Sequence, residues 1–338
     1  MKKSIFLLLS VCFVLASCLT EDPVTAALML GGKSQAPVFL NCRTVSENEI
    51  EFEFSHAVNI TSLILDPDIK ILSIEDGNTV KVQIEETAEP GRLIYADLLA
   101  EDEKKNTVNV LARFRSRNNR MPELVINEIC TEYSRSNTAI RTEFIEFKTL
   151  SAGNLGAMRV FILGNTNAAR LTVYEFSPVE VGKGEYITLH LRTLEAGCKD
   201  EYGSNLAESG GTNSSPTGRD FWFPGNAKLL HKTGIVYVLD QDDNVLASIM
   251  MSEKPDSWWA KDYMADAAEF LFKQGAWVSL EGKICSPADA VITTGTTATR
   301  TICRDETLEN TNTATDWYIT ATSSLTPGKP NNPKRYVN

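Results

Sequence analysis

Ile50-Glu51-Phe52-Glu53-Phe54 alternates apolar and acidic residues without a break, and Val80-Lys81-Val82-Gln83-Ile84 repeats the pattern. Successive side chains of a β-strand point to opposite faces. A period of two therefore puts one face in a core and the other in water. Turn-forming residues punctuate the runs: Ser46-Glu47-Asn48, Asp66-Pro67-Asp68, Asp76-Gly77-Asn78 and Glu89-Pro90-Gly91. Asp76-Gly77 lies between two strand-like runs, which marks a hairpin. About six or seven short antiparallel strands between residues 36 and 118 predict a β-sandwich.

The pattern of residues 36–118 resembles bacterial immunoglobulin-like modules. A polar stretch ending in proline, Asn118-Asn119-Arg120-Met121-Pro122, reads as the joint to a second unit over 122–333. That unit opens on Glu123-Leu124-Val125-Ile126-Asn127-Glu128-Ile129 and continues with Glu143-Phe144-Ile145-Glu146-Phe147. Further strand-like runs lie at 158–163, 171–176, 186–191, 234–239 and 245–250. It closes on Thr326-Pro327-Gly328-Lys329-Pro330-Asn331. The two opening motifs and the closing one, with Gly234 to Asn244 between them, resemble a lamin-tail domain. The resemblance implies an immunoglobulin-like sandwich that binds or tethers, with Glu128 and Glu146 as framework residues.

Two stretches enlarge this unit beyond a simple sandwich. One is a loop from Gly197 to Gly225 rich in Gly, Ser and Asn. The other runs from Pro255 to Lys273, where Trp259, Tyr263, Ala267, Phe270 and Leu271 recur at helical spacing. That spacing predicts a short amphipathic helix packed on the sandwich. The expected fold class is all-β: two consecutive immunoglobulin-like β-sandwiches, the second enlarged by loop and short-helix insertions.

Residues 1–17 read as a secretory signal peptide: Lys2 and Lys3, an apolar run from Ile5 to Leu15, then Leu15-Ala16-Ser17 before Cys18. The run is shorter than the roughly 20 apolar residues that span a bilayer. Leu-Ala-Ser-Cys resembles the lipobox of bacterial lipoproteins, which implies cleavage before Cys18 and lipid attachment to its sulfur. Residues 18–35 would then be a lipidated tether. The address implied is the cell envelope, at the outer membrane, with the membrane as a partner through the lipid anchor.

Formal net charge is −11, which argues against nucleic acid as a partner. Cys42, Cys130, Cys198, Cys285 and Cys303 form no C-x-x-C pair, so a thiolate zinc site is not expected. Cys285 and Cys303 flank a Thr/Gly-rich segment that a disulfide could close. Glu128, Glu143 and Glu146 suggest an acid pair or metal site, but Glu143 and Glu146 on one alternating strand face opposite ways and cannot share a site without a bulge. Asp240 to Asn244 superficially looks like a calcium loop, with Asp242 at its centre, but it lacks that loop's Gly and bidentate Glu. It reads better as a turn. His190 and Cys198 could in principle form a nucleophile, yet nothing in the sequence orients them. No catalytic residue, metal site or cofactor is assigned.

Aromatic residues give the functional lead. Trp222, Trp258 and Trp259 lie in or beside the insertions, where loops on a rigid frame carry recognition. Aromatics there can stack on a sugar or anchor a protein, or else cap the core of the enlarged sandwich. The expectation is a membrane-anchored envelope or surface lipoprotein acting as a non-catalytic binding or adhesion module, with a protein or glycan ligand at these tryptophans. The alternatives are an envelope hydrolase, metal-dependent or not, and a structural subunit of an envelope complex.

Overall fold

The computed structural model describes residues 36–85, 89–136, 139–279 and 281–337. The signal peptide, Cys18 and the tether lie outside the described residues. The chain is all-β and divides into two compact units, one holding described residues 36–85 and 94–114, the other 89–93 and 115–337.

The first unit comprises β1 (Phe39–Ser46), β2 (Glu49–Asp66), β3 (Ile71–Glu75), β4 (Gly77–Ile84), β5 (Leu93–Glu101) and β6 (Thr107–Arg115). The sequence suggested short strands, but β2 runs for 18 residues. It carries no Gly or Pro inside to stop it, and turn residues bound it at both ends. Its first half pairs with β1 and β4, and its second half with β5. The register shifts between Glu53 and Val58, so one strand serves two stretches of sheet. The Asp76-Gly77 hairpin forms, and Asp76 Oδ1 also accepts the Ile60 N–H at 2.9 Å. Ile50, Phe52, Phe54, Val80, Val82 and Ile84 are all buried in one core. The alternating pattern thus becomes the buried face.

The second unit is laid out in chain order as β7 (Leu124–Cys130), the two-residue pair β8 (Ser134–Arg135) and β9 (Ile140–Arg141), β10 (Phe144–Thr149), β11 (Gly153–Asn154) and β12 (Arg159–Gly164). It continues with β13 (Thr172–Glu175), β14 (Glu180–Val181), β15 (Tyr186–His190), β16 (Arg219–Trp222), β17 (Gly234–Leu239) and β18 (Val245–Ser252). Helix α1 (Asp262–Lys273), β19 (Val291–Ile292), β20 (Ile302–Arg304) and β21 (Trp317–Ile319) complete it. One sheet has the order β16-β15-β10-β7-β20-β21 and the other β13-β12-β17-β18-β19. Ile129, Ile145, Phe147, Ile187 and Leu189 of the first meet Val160, Ile162, Val236 and Ile249 of the second in one core.

Helix α1 covers the second sheet. Ala267, Ala268 and Leu271 are buried, and Phe270 meets Tyr237 with ring centroids 5.8 Å apart. Because α1 covers its outer side, β17 reads as a near-continuous apolar run rather than an alternating one. Tyr263, at the start of the helix, donates its hydroxyl to the Gly164 carbonyl at 2.8 Å. The segment read as the joint is built into this unit, for Asn118 is buried and its amide donates to the carbonyls of Asn154 and Gly156.

Candidate functional site

Three places in the second unit gather the chemistry-bearing residues. The first unites the sequence motifs. Glu128 on β7 and Glu146 on β10 are direct cross-strand partners. Thr188 on β15 lies beside Glu146, and Cys303 on β20 beside Glu128. The row crosses the sheet on the face away from the core, because Ile145 and Phe147 take the core side. The closing motif, a strap over 325–331, covers that row.

The strap's prolines at 327 and 330 alternate with donors. Glu128 accepts the Thr326 N–H at 3.0 Å, its hydroxyl at 3.1 Å and the Thr301 hydroxyl at 2.5 Å. Glu146 accepts the Gly328 N–H at 2.5 Å and the Asn127 amide at 2.8 Å. Asn331 then donates to the Asn127 and Arg304 carbonyls at 3.0 and 2.9 Å. Both carboxyls are wholly buried. Burial raises the pKa of Glu128 above the ordinary carboxylate range. Burial, then the neighbouring Glu128, lifts Glu146 well above it. The two titrate as a pair that gives up its second proton reluctantly.

The strap fits only because it crosses glycine on glycine. Gly328 has φ of +73°, and a Cβ there would lie 2.4 Å from Ser215 Cβ; one on Gly218 would lie 2.5 Å from Gly328 Cα. Gly328→Ala is expected to lower stability by about 2–3 kcal/mol, since it combines a left-handed backbone with a clash. Urea denaturation checks it, and an unshifted midpoint would mean that the strap has room to move.

Glu143, as its spacing requires, does not join this pair. It takes a bidentate ion pair from Arg192, with Nε and an Nη at 2.7 and 2.6 Å. The cross-strand partnership of Glu128 with Glu146 escaped the sequence reading, which compared carboxylates on one strand only. The disulfide considered between Cys285 and Cys303 does not form; all five described cysteines are free thiols. Cys303 is fixed in β20, while Cys285 donates to the Trp277 carbonyl. In the turn between β17 and β18, Asp240 accepts the backbone of Asp242 and Asn244 at 2.8 and 2.9 Å. Arg117 holds both oxygens of Asp242, and Arg159 holds Asp243. Those carboxylates are engaged by arginine. Among the described residues no group of three or more His, Cys, Asp or Glu is placed to hold a metal ion.

The second place is the loop 197–225. Trp222 is buried rather than presented to a ligand. Its ring stacks on His190 at 3.8 Å, and its indole N–H donates to Ser209 Oγ at 2.8 Å. His190 Nε2 lies 2.8 Å from Asp220 Oδ1, and the pair is sealed from solvent. Burial raises the pKa of Cys198, so its thiol is not activated. The loop is knitted by charges. Glu201 accepts the N–H groups of Glu208, Ser209 and Asp220. Arg219, itself buried, donates to Glu185 at 2.8 Å and to the carbonyls of Glu201 and Gly203 at 2.6 and 2.8 Å.

The third place separates the adjacent tryptophans. Trp259 is buried and donates its indole N–H to the Cys285 carbonyl at 3.0 Å. Trp258 is 75% exposed, the most solvent-accessible aromatic side chain among the described residues. Both line a cleft of about 190 Å³ between the end of β18 and the start of α1. Met264 lies in its wall, and Asn165, Glu253, Lys254 and Asp256 contribute polar groups. The carboxyl row and the loop are closed, whereas this cleft is open. It is the candidate functional site.

These features define an all-β sandwich domain with a strapped sheet and an open aromatic cleft. Residues 122–319, more than half of the chain, match the family model TP_1001_2nd, described as a protein second domain, and the chain belongs to that family. No curated protein matches the chain. Among solved structures it is similar to the crystal structure of a DUF4876 family protein from Bacteroides thetaiotaomicron VPI-5482. The identity is 13%, with 83% of this chain and 94% of that one covered, at a TM-score of 0.32.

Proposed function

We propose that this protein is a lipid-anchored envelope lipoprotein, held through Cys18 at the outer membrane, whose second unit is a non-catalytic binding module of the lamin-tail-like, immunoglobulin-like kind. The lipobox-like Leu-Ala-Ser-Cys supports the anchor. The meeting of Asn127-Glu128, Glu146 and the 325–331 strap in one bonded row supports the lamin-tail likeness, since these are the segments that carry it. The acids of that row are buried and hydrogen-bonded to the chain, which favours a framework role over chemistry.

One observation carries the binding assignment: Trp258 stands exposed at an open cleft while its neighbour Trp259 is fixed in the core. A rigid aromatic beside a pocket is the kind of group that dominates binding energy. The test uses the full-length protein in detergent, captured on immobilised cell-surface extract. Trp258→Ala is expected to reduce capture while leaving the unfolding midpoint unchanged, because an exposed side chain contributes little to the core. Equal capture by both proteins would remove the cleft from the binding surface. For the anchor, cells given radiolabelled palmitate are expected to label the wild type and not Cys18→Ser; label on the variant would overturn it.

A further inference from the structure

We infer that the Trp258 cleft takes a neutral sugar ring of a glycan. The inference rests on the binding assignment above and names the ligand's class. It follows from the groups that share the cleft and from what each class of ligand would meet there.

The indole offers a flat apolar surface on which the C–H face of a pyranose can lie. Around it stand groups with spare hydrogen-bonding capacity. Among the described residues, the side chains of Asn165, Glu253, Lys254 and Asp256 have no hydrogen-bond or ion-pair partner. Their capacities are mixed: two carboxylates accept, an ammonium donates, and an amide does both. A cationic side chain stacked on Trp258 would be drawn to Glu253 and Asp256 but repelled by Lys254. An anionic ligand would meet the reverse. An apolar protein side chain would make no use of these four polar groups. Sugar hydroxyls both donate and accept, so a neutral ring can satisfy every group at once. Size agrees as well. The cleft holds about 190 Å³, less than the roughly 300–1,000 Å³ of pockets for drug-sized ligands. It suits one ring of a longer chain that runs on across the surface.

The experiment has two arms, both on full-length protein in detergent. In the first, an array of neutral gluco-, manno- and galacto-configured oligosaccharides is probed with the wild type, Trp258→Ala, Trp258→Phe and Asp256→Asn. At least one oligosaccharide is expected to bind. Trp258→Ala should weaken that binding by about tenfold or more, Trp258→Phe by less, because a smaller ring still stacks. In the second arm, the cell-surface extract is treated with periodate, which cleaves vicinal diols, or with protease. Capture lost after periodate and kept after protease supports the proposal. Capture that depends on Trp258, survives periodate and is lost to protease overturns the sugar and leaves the binding module standing. Capture indifferent to Trp258 overturns both. An array on which no neutral oligosaccharide binds overturns the proposal, whatever the extract does.

Discussion

Replacing Glu128 with alanine is expected to destabilise the second unit by at least about 3 kcal/mol. The cost comes from the donors left behind. The Thr326 N–H and hydroxyl and the Thr301 hydroxyl all end on this carboxylate in a buried site. A buried donor stripped of its acceptor costs about 1–3 kcal/mol. Relief of the repulsion between the two carboxyls offsets only part of that. Urea unfolding followed by tryptophan fluorescence is a clean readout. The chain has five tryptophans, Trp222, Trp258, Trp259, Trp277 and Trp317, and every one falls in the second unit. A variant as stable as the wild type would mean that the strap is held by Glu146, Asn331 and glycine packing without Glu128.

Glu146→Gln should behave in the opposite way, since the amide mimics a protonated acid. The sign of the pH effect follows from the raised pKa of Glu146. Its contribution is fully present below the unfolded value of about 4.3 and is lost as pH rises through the folded one. The native state holds more protons than the unfolded state across that window, so wild-type stability falls with rising pH. The glutamine variant does not titrate there. Its stability relative to wild type is therefore expected to improve as pH rises above about 4.3. A constant difference would show that Glu146 is ionised throughout.

The second large effect is expected at Arg219. Arg219→Met should cost about 3–5 kcal/mol, the range for breaking a buried ion pair from one side. Glu185 would lose its partner in a half-closed site, and the carbonyls of Glu201 and Gly203 would lose their donor. Arg219→Lys should recover only part, because a single ammonium cannot span three acceptors set apart by the guanidinium fork. Limited proteolysis within 197–225 should quicken in step with the loss of stability. Unchanged cleavage with unchanged stability would mean that the loop is held by Glu201 and Asp220 without it.

How much of this could be read in the sequence depends on the range of the interaction. Ile50, Phe52 and Phe54 are buried together because a two-residue period is a local property of the backbone. The helix was legible in the same way, and Ala267 and Leu271 face the sandwich as their spacing requires. Of the two readings open for Trp222, ligand contact and core cap, burial selects the core cap. Trp222's partners His190 and Ser209 come from outside its own strand, and no local pattern announces them. The loop around it, rich in Gly, Ser and Asn, is tied by Glu201 and Arg219 into a folded lobe. The Glu128–Glu146 pair depends on the register of two strands, and a shift beside Glu146 sets that register. Of the three tryptophans singled out, two are core and one is open, a distinction that burial alone makes.

The strap meets Glu128 across a separation of 198 residues along the chain and Glu146 across 182. Without the strap, the β7–β10 ribbon carries two carboxyls side by side that lack these donors. The sheet that β7 opens is therefore complete only when the 325–331 segment is in place.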